Sequence, residues 1–291
     1  MIAGPAPDHA ASQPIGLIVT ADDFGAAVAV NEAVEQGHRN GILTAASLMV
    51  AGDAAGDAIE RARRLPGLGV GLHIVLADGR PVLPPERIPA LVGPDGRFRQ
   101  SMLATALAIA ASPAARAQLR AEIDAQFAAF AATGLPLDHV NAHKHFHLHP
   151  MIASAILAIG PAYGMQAMRV PVETGAPLAL RWWAGRLGKR LRKAGVLVND
   201  RVIGLADSGR FDAARMERAV ARPERGLTEI YCHPATADMY PGHAPGYRYR
   251  DELAALVDPA VRAALVNSGA RTGNFRTFLD HAEPVTPAPA G

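Results

Sequence analysis

Short apolar runs alternate with longer amphipathic stretches along most of the chain. Apolar runs of five to nine residues predict strands at Ile15–Ala21, Leu43–Val50, Leu68–Leu76, Leu137–His145, Ala167–Pro171 and Thr228–Cys232. Apolar residues at helical spacing predict helices at Val28–Arg39, Asp53–Arg64, Pro113–Thr133 and Met151–Ile159. Strands that alternate with helices are typical of a mostly parallel sheet with helices outside it, either a barrel or a doubly wound sheet.

The two ends of the chain depart from this alternation. Residues 1–14 and 282–291 are rich in Pro, Ala and other small residues, which predicts two tails around a single domain at 15–281. The first residues lack the basic and apolar regions of a Sec-type signal. The longest apolar runs are about ten residues, short of the roughly 18 that span a bilayer. We therefore expect a cytoplasmic protein that is at most peripheral at a membrane surface.

Composition narrows the class of protein. Of 291 residues, 49% are hydrophobic and 19% are charged, which excludes a disordered chain, a collagen-like chain and a coiled coil. The formal net charge is only +2, so the chain lacks the overall positive charge of a nucleic-acid-binding protein. The only cysteine, Cys232, excludes disulfides within the chain and cysteine zinc clusters, and we expect it to be a buried structural thiol.

Polar residues capable of chemistry lie at the ends of four predicted strands. They are Asp22 and Asp23 in TADDFG, His73 in GLHIVL, the histidine-rich run HVNAHKHFHLHP at 139–150, and His233 in YCHP. The carboxyl ends of parallel strands meet at one face, where such folds bind their ligands. The sequence therefore predicts one site from these residues. The proline-rich loop Gly79–Gln100 follows the His73 strand, and we expect it to cover this site.

Each of these residues also has a structural interpretation. Adjacent carboxylates repel, so Asp22 and Asp23 suggest one metal ligand and one proton acceptor, but an aspartate there also suits a helix N-cap. A lone His73 in an apolar strand is more often a core residue than a ligand. His233 precedes a proline, which disfavours helix, so it is either a turn residue or a general acid.

The histidine-rich run has more imidazoles than one metal can use. In an extended segment six residues share one face: His139, Asn141, His143, His145, His147 and His149. A catalytic site takes three or four protein ligands, and two histidines with one carboxylate leave positions open for water and substrate. The alternatives are a metal-buffering loop, or a His149-Pro150 turn that opens the next helix.

Together these motifs resemble the YdjC-like carbohydrate deacetylase family. The resemblance rests on ADDFG, on GLH before an apolar pair and Leu, on the H-x-[DN]-x-H and H-x-H block, and on CHP. It also includes Asn31 and the NGILTAAS segment at Asn40–Ser47, and it covers most of Ile15–Thr277. This family includes chito-oligosaccharide deacetylases and a hopanoid-biosynthesis-associated branch, and the chain most resembles that branch.

The resemblance implies a fold and a reaction. The implied fold is α/β, a distorted (β/α) TIM-like barrel in a single domain. One divalent ion, Zn²⁺ or Mg²⁺, would be held by three ligands, Asp23, His73 and His143. Asp22 would be the general base and His233 the general acid in hydrolysis of an N-acetylated amino sugar.

Two residues depart from the family pattern. Asn141 stands where many relatives have Asp, and Lys144 stands where many have His. Asn carries no charge. It is therefore in doubt whether residue 141 acts as a carboxylate would when hydrogen-bonded to a metal ligand. The sequence assigns no role to His139, His145 or His147.

A basic segment gives the only clue to the substrate. Six of the thirteen residues in Arg181–Lys193 are basic, and both tryptophans of the chain, Trp182 and Trp183, lie at its start. Such a helix suits contact with an anionic membrane surface, whereas the structural alternative is a solvated helix with its tryptophans packed inward. The segment resembles a basic insertion of the hopanoid-associated branch, which implies an N-acetylglucosaminyl hopanoid or similar glycolipid as substrate.

Several alternatives stay open. The substrate could instead be a soluble chito-oligosaccharide. The same ligand set could support non-haem iron chemistry, although its ligands usually cluster in sequence as HxD plus a distant histidine. A metal-binding or sugar-binding protein without activity would explain the histidines but not the aspartate pair or His233. A nucleic-acid partner is not expected, and a homodimer is possible.

Overall fold

The computed structural model describes residues 15–173 and 175–279. Both predicted tails, 1–14 and 282–291, lie outside the described residues. Within the described part, the strands are β1 (Ile15–Phe24), β2 (Ala45–Leu48), β3 (Gly69–Ile74), β4 (Leu137–Ala142), β5 (Arg201–Ile203), β6 (Gly226–Cys232) and β7 (Arg271–Thr272).

The helices connect these strands and lie outside the sheet. The first five are α1 (Val28–Asn40), α2 (Ala55–Arg63), α3 (Met102–Ala111), α4 (Pro113–Ala132) and α5 (Pro150–Ile159). The later five are α6 (Leu178–Lys193), α7 (Ala213–Ala221), α8 (Tyr249–Val257), α9 (Pro259–Asn267) and α10 (Phe275–Leu279). No helix in the described part of the chain is both long and apolar enough to cross a membrane.

The strands form one parallel sheet. Their order is β4-β3-β2-β1-β6-β5, and β7 pairs with the first half of β1. This sheet is a half-barrel, so the α/β single domain with a parallel sheet is confirmed. Beyond β4, only single bridges join Val140 to Met168 and Ala167 to Leu197. The predicted strand Ala167–Pro171 is reduced to these bridges, and the closed barrel stays a prediction.

Three inner strands of the sheet are buried along their whole length. Every residue of β2, β3 and β6 is buried, including the polar side chains of Ser47, His73 and Glu229. Strands covered on both faces read as continuous apolar runs, which explains why the sequence predicts them. Their few buried polar residues need partners inside the sheet, because an unpaired polar group in the interior is costly.

The histidine-rich run is not a continuous strand. The sequence predicts a strand at Leu137–His145, but β4 ends at Ala142 and a short 3₁₀ segment covers His143–Leu148. Lys144 and His145 both have φ of 54°, in the left-handed region, so the chain turns sharply after His143. The interpretation of His139 to His149 as one extended face is therefore wrong.

Helix boundaries follow the local signals. The Ser112 side chain accepts a hydrogen bond from the backbone N–H of Ala115, and Pro113 occupies the first turn of α4. Pro150 likewise begins α5, so the predicted turn at His149-Pro150 is confirmed. Residues 79–100 contain one short 3₁₀ turn and an isolated bridge, as expected for a loop.

Candidate metal centre and active site

A bulge in β1 separates the two adjacent carboxylates. The pairing of β1 with β2 shifts register between Ala21 and Phe24, and Asp23 has φ of 62°. A bulge changes the direction of the side chains around it. A residue other than glycine adopts a left-handed backbone conformation only where its surroundings hold it there. Asp22 and Asp23 therefore face different partners although they are neighbours in sequence.

Asn31 on α1 holds the turn that follows this bulge. Its Oδ1 accepts the backbone N–H of Gly25 at 2.8 Å, and its Nδ2 donates to the Ala54 carbonyl at 3.0 Å and to Asp57 Oδ2 at 2.8 Å. The side chain is fully buried. Asn31 thus fixes the chain immediately after Asp23.

Asp23 lies against two histidines at the carboxyl end of the sheet. Asp23 Oδ1 is 3.2 Å from His73 Nε2 and 3.1 Å from His143 Nδ1, and these two nitrogens are 3.3 Å apart. His73 comes from the end of β3, and His143 is the first residue after β4. The three side chains form the one group of possible metal ligands within the described residues.

The spacing of these donor atoms fits a divalent ion. Two ligands that bind one ion at about 2.1 Å lie roughly 3.0 Å apart in octahedral and roughly 3.4 Å apart in tetrahedral geometry. The observed separations of 3.1–3.3 Å lie between these values, so they do not distinguish Zn²⁺ from Mg²⁺. Two imidazoles and one carboxylate also leave positions for water and substrate.

Asn141 connects this ligand set to Asp22. Its Nδ2 donates to Asp22 Oδ1 at 3.1 Å and to Ser47 Oγ at 2.8 Å, so its Oδ1 accepts from His73 Nδ1 at 2.7 Å. The uncharged amide therefore supports the His73 ring from behind, which is what a carboxylate would otherwise do. Asn141 thus supplies this hydrogen bond without adding a negative charge beside Asp22.

Asp22 is buried in an ion pair with Arg169. The Arg169 guanidinium donates from Nη1 to Asp22 Oδ2 at 2.5 Å and from Nη2 to Asp22 Oδ1 at 2.9 Å. Burial by itself raises the pKa of Asp22, but the positive charges of Arg169 and His73 outweigh burial and hold that pKa far below its ordinary range. Asp22 is consequently ionised throughout the neutral range.

Arg169 has a second carboxylate partner. Its Nε and Nη2 donate to Glu229 at 2.9 and 2.8 Å, and Thr20 donates its hydroxyl hydrogen to Glu229 Oε1 at 2.7 Å. Arg169 and Glu229 are fully buried. Two carboxylates hold adjacent edges of the guanidinium, which fixes its position beside Asp22.

His233 lies at the end of β6 with its ring in the same cleft. Its backbone N–H donates to Glu252 Oε2 at 2.5 Å, which fixes the main chain there. The ring packs edge-on against Tyr231 and Tyr247, with centroids 5.6 and 5.4 Å away. Nδ1 is buried and has no hydrogen-bond partner among the described residues. The ring itself lines the cleft that also holds Asp23, His73 and His143.

Two further histidines of the run, His145 and His147, are electrically neutral at neutral pH. His145 Nε2 is 3.1 Å from the Tyr231 hydroxyl, and burial together with the Arg169 charge lowers its pKa well below the ordinary value. His147 is fully buried, and burial and Arg169 lower its pKa to about 3. Neither ring is a proton donor at neutral pH.

All five residues that the sequence predicts for the site line one cleft of about 410 Å³. They are Asp22, Asp23, His73, His143 and His233. Tyrosines contribute much of the rest of the wall, at positions 231, 247 and 249. A smaller recess of about 100 Å³ shares Asp23 and His143 and includes Arg80 and Arg97 of the loop 79–100. Residues of this loop therefore line a recess next to Asp23 and His143, and a loop that covers the site stays a prediction.

Sequence reasoning missed the buried charges behind the site. Arg169 and Glu229 lie inside the predicted apolar segments Ala167–Pro171 and Thr228–Cys232. Opposite charges inside two buried strands are a signal for an ion pair, because neither is stable there alone. Cys232 is a free, buried cysteine, as expected.

The basic segment forms α6, with its tryptophans facing outward. Trp182 and Trp183 are 59% and 41% exposed, and Leu178 is 80% exposed, so the alternative with inward-packed tryptophans is wrong. All six basic side chains of the helix are also exposed. Trp183 Nε1 donates to the carbonyl of Leu148, the last residue of the 3₁₀ segment that begins at His143. A groove of about 610 Å³ runs between α5 and the two tryptophans.

Curated proteins of similar sequence are sugar deacetylases by name. A carbohydrate deacetylase of Geobacillus stearothermophilus is 31% identical over 272 residues, which are 91% of this chain and 98% of that protein. A chitooligosaccharide deacetylase of Klebsiella pneumoniae is 30% identical over 262 residues, 89% of this chain and 98% of that protein. A carbohydrate deacetylase of Brevibacillus brevis is 39% identical, but over 157 residues that span 54% of this chain and 58% of that protein.

A solved structure shares the fold. The crystal structure of a protein from Enterococcus faecalis, described as a cellobiose-phosphate cleavage protein, matches with a TM-score of 0.76 and 23% identity. The match covers 91% of this chain and 99% of that one. The sequence profile of the YdjC-like protein family matches residues 16–267. The chain therefore belongs to the YdjC-like family.

Proposed function

We propose that this protein is a metal-dependent hydrolase that removes the acetyl group from an N-acetylated amino sugar. The observation that carries the proposal is the arrangement of two adjacent aspartates with different surroundings. Asp23 joins His73 and His143 in a ligand set, and Asp22 lies next to that set in an ion pair with Arg169. The names of the full-length relatives support the same reaction for this chain.

Asp23, His73 and His143 would hold one divalent ion. Such an ion lowers the pKa of a bound water and polarises a carbonyl oxygen. The ligand set itself is rigid, because Asn141 orients His73 and the bulge of β1 orients Asp23. This rigidity matters for hydrolysis, since catalytic groups act by being placed before the substrate arrives.

Asp22 is assigned the role of general base. Its charge is fixed by Arg169, so it is ready to accept a proton from the attacking water at any neutral pH. A carboxylate with so low a pKa is a weak base in isolation. Its value here is its position: Arg169 and Asn141 hold its two oxygens, and the carboxylate lines the cleft.

His233 is assigned the role of general acid. The leaving amine of an amide needs a proton, and the His233 side chain lines the cleft beside the proposed metal ligands. His145 also lines the cleft, but burial and Arg169 keep it neutral, so it cannot donate a proton. The products would be acetate and the free amino sugar.

The cleft suits a sugar ring. Tyr231, Tyr247 and Tyr249 line the cleft, and the half-buried Tyr247 offers aromatic surface with a hydroxyl group, a combination that binds the apolar face and the polar edge of a pyranose. Arg80 and Arg97 line the neighbouring recess on the other side of Asp23, where they can donate hydrogen bonds to further hydroxyls.

The finer proposal is that the sugar is part of an N-acetylglucosaminyl hopanoid or similar glycolipid. The support is α6, where Leu178, Trp182 and Trp183 are exposed beside six exposed basic residues. Exposed tryptophans with cationic neighbours suit the interface of an anionic membrane. Trp183 contacts Leu148, in the segment that begins with His143, so membrane contact through Arg181–Lys193 would place the site near the lipid. The alternative substrate is a soluble chito-oligosaccharide. A homodimer stays a prediction.

The experiment that tests this proposal measures acetate release from two substrates in parallel. One is a detergent-dispersed N-acetylglucosaminyl lipid and the other is a set of soluble chito-oligosaccharides, each with and without chelator. We expect chelator-sensitive release, with the lipid preferred. Preference for the soluble sugars would contradict the glycolipid substrate only. No acetate from either, with one metal ion per chain confirmed, would contradict the deacetylase and favour a binding protein.

A further inference from the structure

A chain of hydrogen bonds runs through the interior of the sheet and ends at a metal ligand. Asp138 Oδ2 is 2.8 Å from His139 Nδ1, and His139 Nε2 is 2.9 Å from Ser47 Oγ. Ser47 Oγ accepts from Asn141 Nδ2 at 2.8 Å, and Asn141 Oδ1 is 2.7 Å from His73 Nδ1. All five side chains are at most 2% exposed, so neither substrate nor solvent reaches the first three.

The backbone of β3 and β4 leaves room for this chain of hydrogen bonds. The pairing of β3 with β4 shifts between Val70 and Leu72, because two residues of β4, Asp138 and His139, oppose one residue of β3. Their single counterpart is Gly71, where an added Cβ would lie 2.5 Å from the His139 ring. The imidazole therefore crosses over Gly71 to reach Ser47 on β2. This is a specific adaptation, since a larger residue at 71 would close the path.

The donors and acceptors along the chain can be assigned in one direction. Asp138, as a carboxylate, only accepts, and it also accepts the backbone N–H groups of Phe275 and Arg276. In its neutral form, His139 must then donate from Nδ1, which leaves Nε2 to accept the hydroxyl hydrogen of Ser47. The Ser47 oxygen is thus free to accept from Asn141.

The same order of donors and acceptors extends from Asn141 to the metal ligand His73. With its amide nitrogen turned to Ser47 and Asp22, Asn141 presents its oxygen to His73 Nδ1. The neutral His73 ring then carries its hydrogen on Nδ1, and the Nε2 lone pair faces Asp23 and His143. A lone pair that faces a carboxylate oxygen at 3.2 Å needs a cation between them.

We infer that Asp138, His139 and Ser47 are positioning residues that set the tautomer of His73 and thereby the affinity of the metal centre. They act through Asn141 and touch neither metal nor substrate. The inference rests on the metal centre of the proposed function but not on the identity of the substrate. Groups that hold a metal-binding histidine from behind typically change metal affinity 10–100-fold when removed.

The direct test is nitrogen-15 NMR of the imidazoles in the metal-free full-length protein at alkaline pH. Long-range nitrogen–proton couplings report which ring nitrogen carries the hydrogen. We expect His73 and His139 both as Nδ1–H tautomers. An Nε2–H tautomer of either ring would overturn the inference, even if the enzyme proves active. The expected tautomers would support it even if no acetate is released.

Two variants extend the test. Ser47→Ala removes the hydroxyl from the chain, and Gly71→Ala pushes the His139 ring away from Ser47. We expect either variant to give a mixture of His73 tautomers and to weaken Zn²⁺ binding tenfold or more in a chelator competition. Thr105→Val is the matched control, because it removes an equally buried hydroxyl from α3. Loss of thermal stability with unchanged tautomers and affinity within twofold of wild type would show a purely structural role.

Discussion

Asp22 and Asp23 are neighbours in sequence, but their carboxylates have different partners and different chemistry. The β1 bulge turns Asp23 to His73 and His143, and it turns Asp22 to Arg169. Both carboxylates have pKa values lowered by nearby positive charge in spite of burial. Only Asp23 is placed as a ligand, which leaves Asp22 free to exchange a proton with a water in the cleft.

The first prediction concerns the general base. Asp22→Asn keeps the size of the side chain and leaves Glu229 to pair with Arg169. We expect it to keep about the wild-type metal content but to lose ~10²–10⁴-fold in turnover, the usual contribution of a general base. Metal analysis and acetate release measure the two effects separately. A fully active variant would refute the assignment of the base.

The second prediction concerns the metal ligand His143. His143→Ala removes one of three ligands and leaves the buried pair of Asp22 and Arg169 intact. We expect it to lose both metal and turnover. If it keeps one tightly bound metal ion per chain, His143 is not a ligand and the assigned centre is wrong.

The third prediction is the pH dependence of metal affinity. Burial lowers the pKa of His73, but Asp22 and Asp23 outweigh it and raise that pKa above 6.5. A metal must displace this proton, so affinity should fall as the pH drops through the raised pKa. A competition titration between pH 6 and 9 measures it. Constant affinity over this range would contradict proton competition at His73.

At the scale of single elements, the carboxyl ends of the strands were the most informative feature of the sequence. Buried strands in a parallel sheet read as apolar runs, and polar residues at their ends stand out against that background. Asp22, Asp23, His73 and His233 could therefore be placed on one cleft. His143 could be named only through the family resemblance, because spacing does not choose among six neighbouring polar residues.

The rest of the site depends on pairing between distant strands. The Asp138–His139 step in β4, the left-handed turn after His143 and the crossing over Gly71 are effects of register that no local pattern encodes. Arg169 and Glu229 come together from segments sixty residues apart. The strand predicted at Ala167–Pro171 also failed, since it makes only single bridges.

The fourth prediction concerns α6. Trp182→Ala with Trp183→Ala removes the exposed aromatic surface, and the exposed basic side chains stay in place. If the helix contacts membrane, binding to vesicles containing anionic lipid should fall about tenfold or more, with unchanged hydrolysis of a soluble substrate. Exposed Leu107 on α3 gives a matched control, Leu107→Ala. Equal sedimentation of all three proteins with vesicles would contradict membrane contact through α6.

For the whole molecule, the site places several ionisable groups in the interior, where they make folding stability depend on their charge. Arg169 pairs with both Asp22 and Glu229, whereas His147 is buried without a well-formed hydrogen bond. Breaking a buried pair by removing one partner typically costs about 3–5 kcal/mol. The fold therefore tolerates changes of pH only as long as these groups keep their native charge.

The fifth prediction is that His147 contributes to acid unfolding. Its pKa is about 3 in the folded protein and 6.5 in the unfolded chain. Because the unfolded state takes up the proton first, stability falls as pH drops from about 6.5 to 3, by up to about 5 kcal/mol. His147→Phe should flatten this fall in denaturant titrations at pH 7 and 4. The control His38→Phe changes a half-buried histidine on α1. Parallel pH profiles for His147→Phe and wild type would contradict the assignment.

Metal-dependent deacetylation is tested most directly by stepwise reconstitution of metal-free protein, with acetate release from an N-acetylated amino sugar measured at each metal content. We expect the rate to rise in proportion to bound metal up to one ion per chain, and we expect His143→Ala to give no rise. Full activity in metal-free protein, or no acetate at one ion per chain with any of the proposed substrates, would contradict a metal-dependent deacetylase.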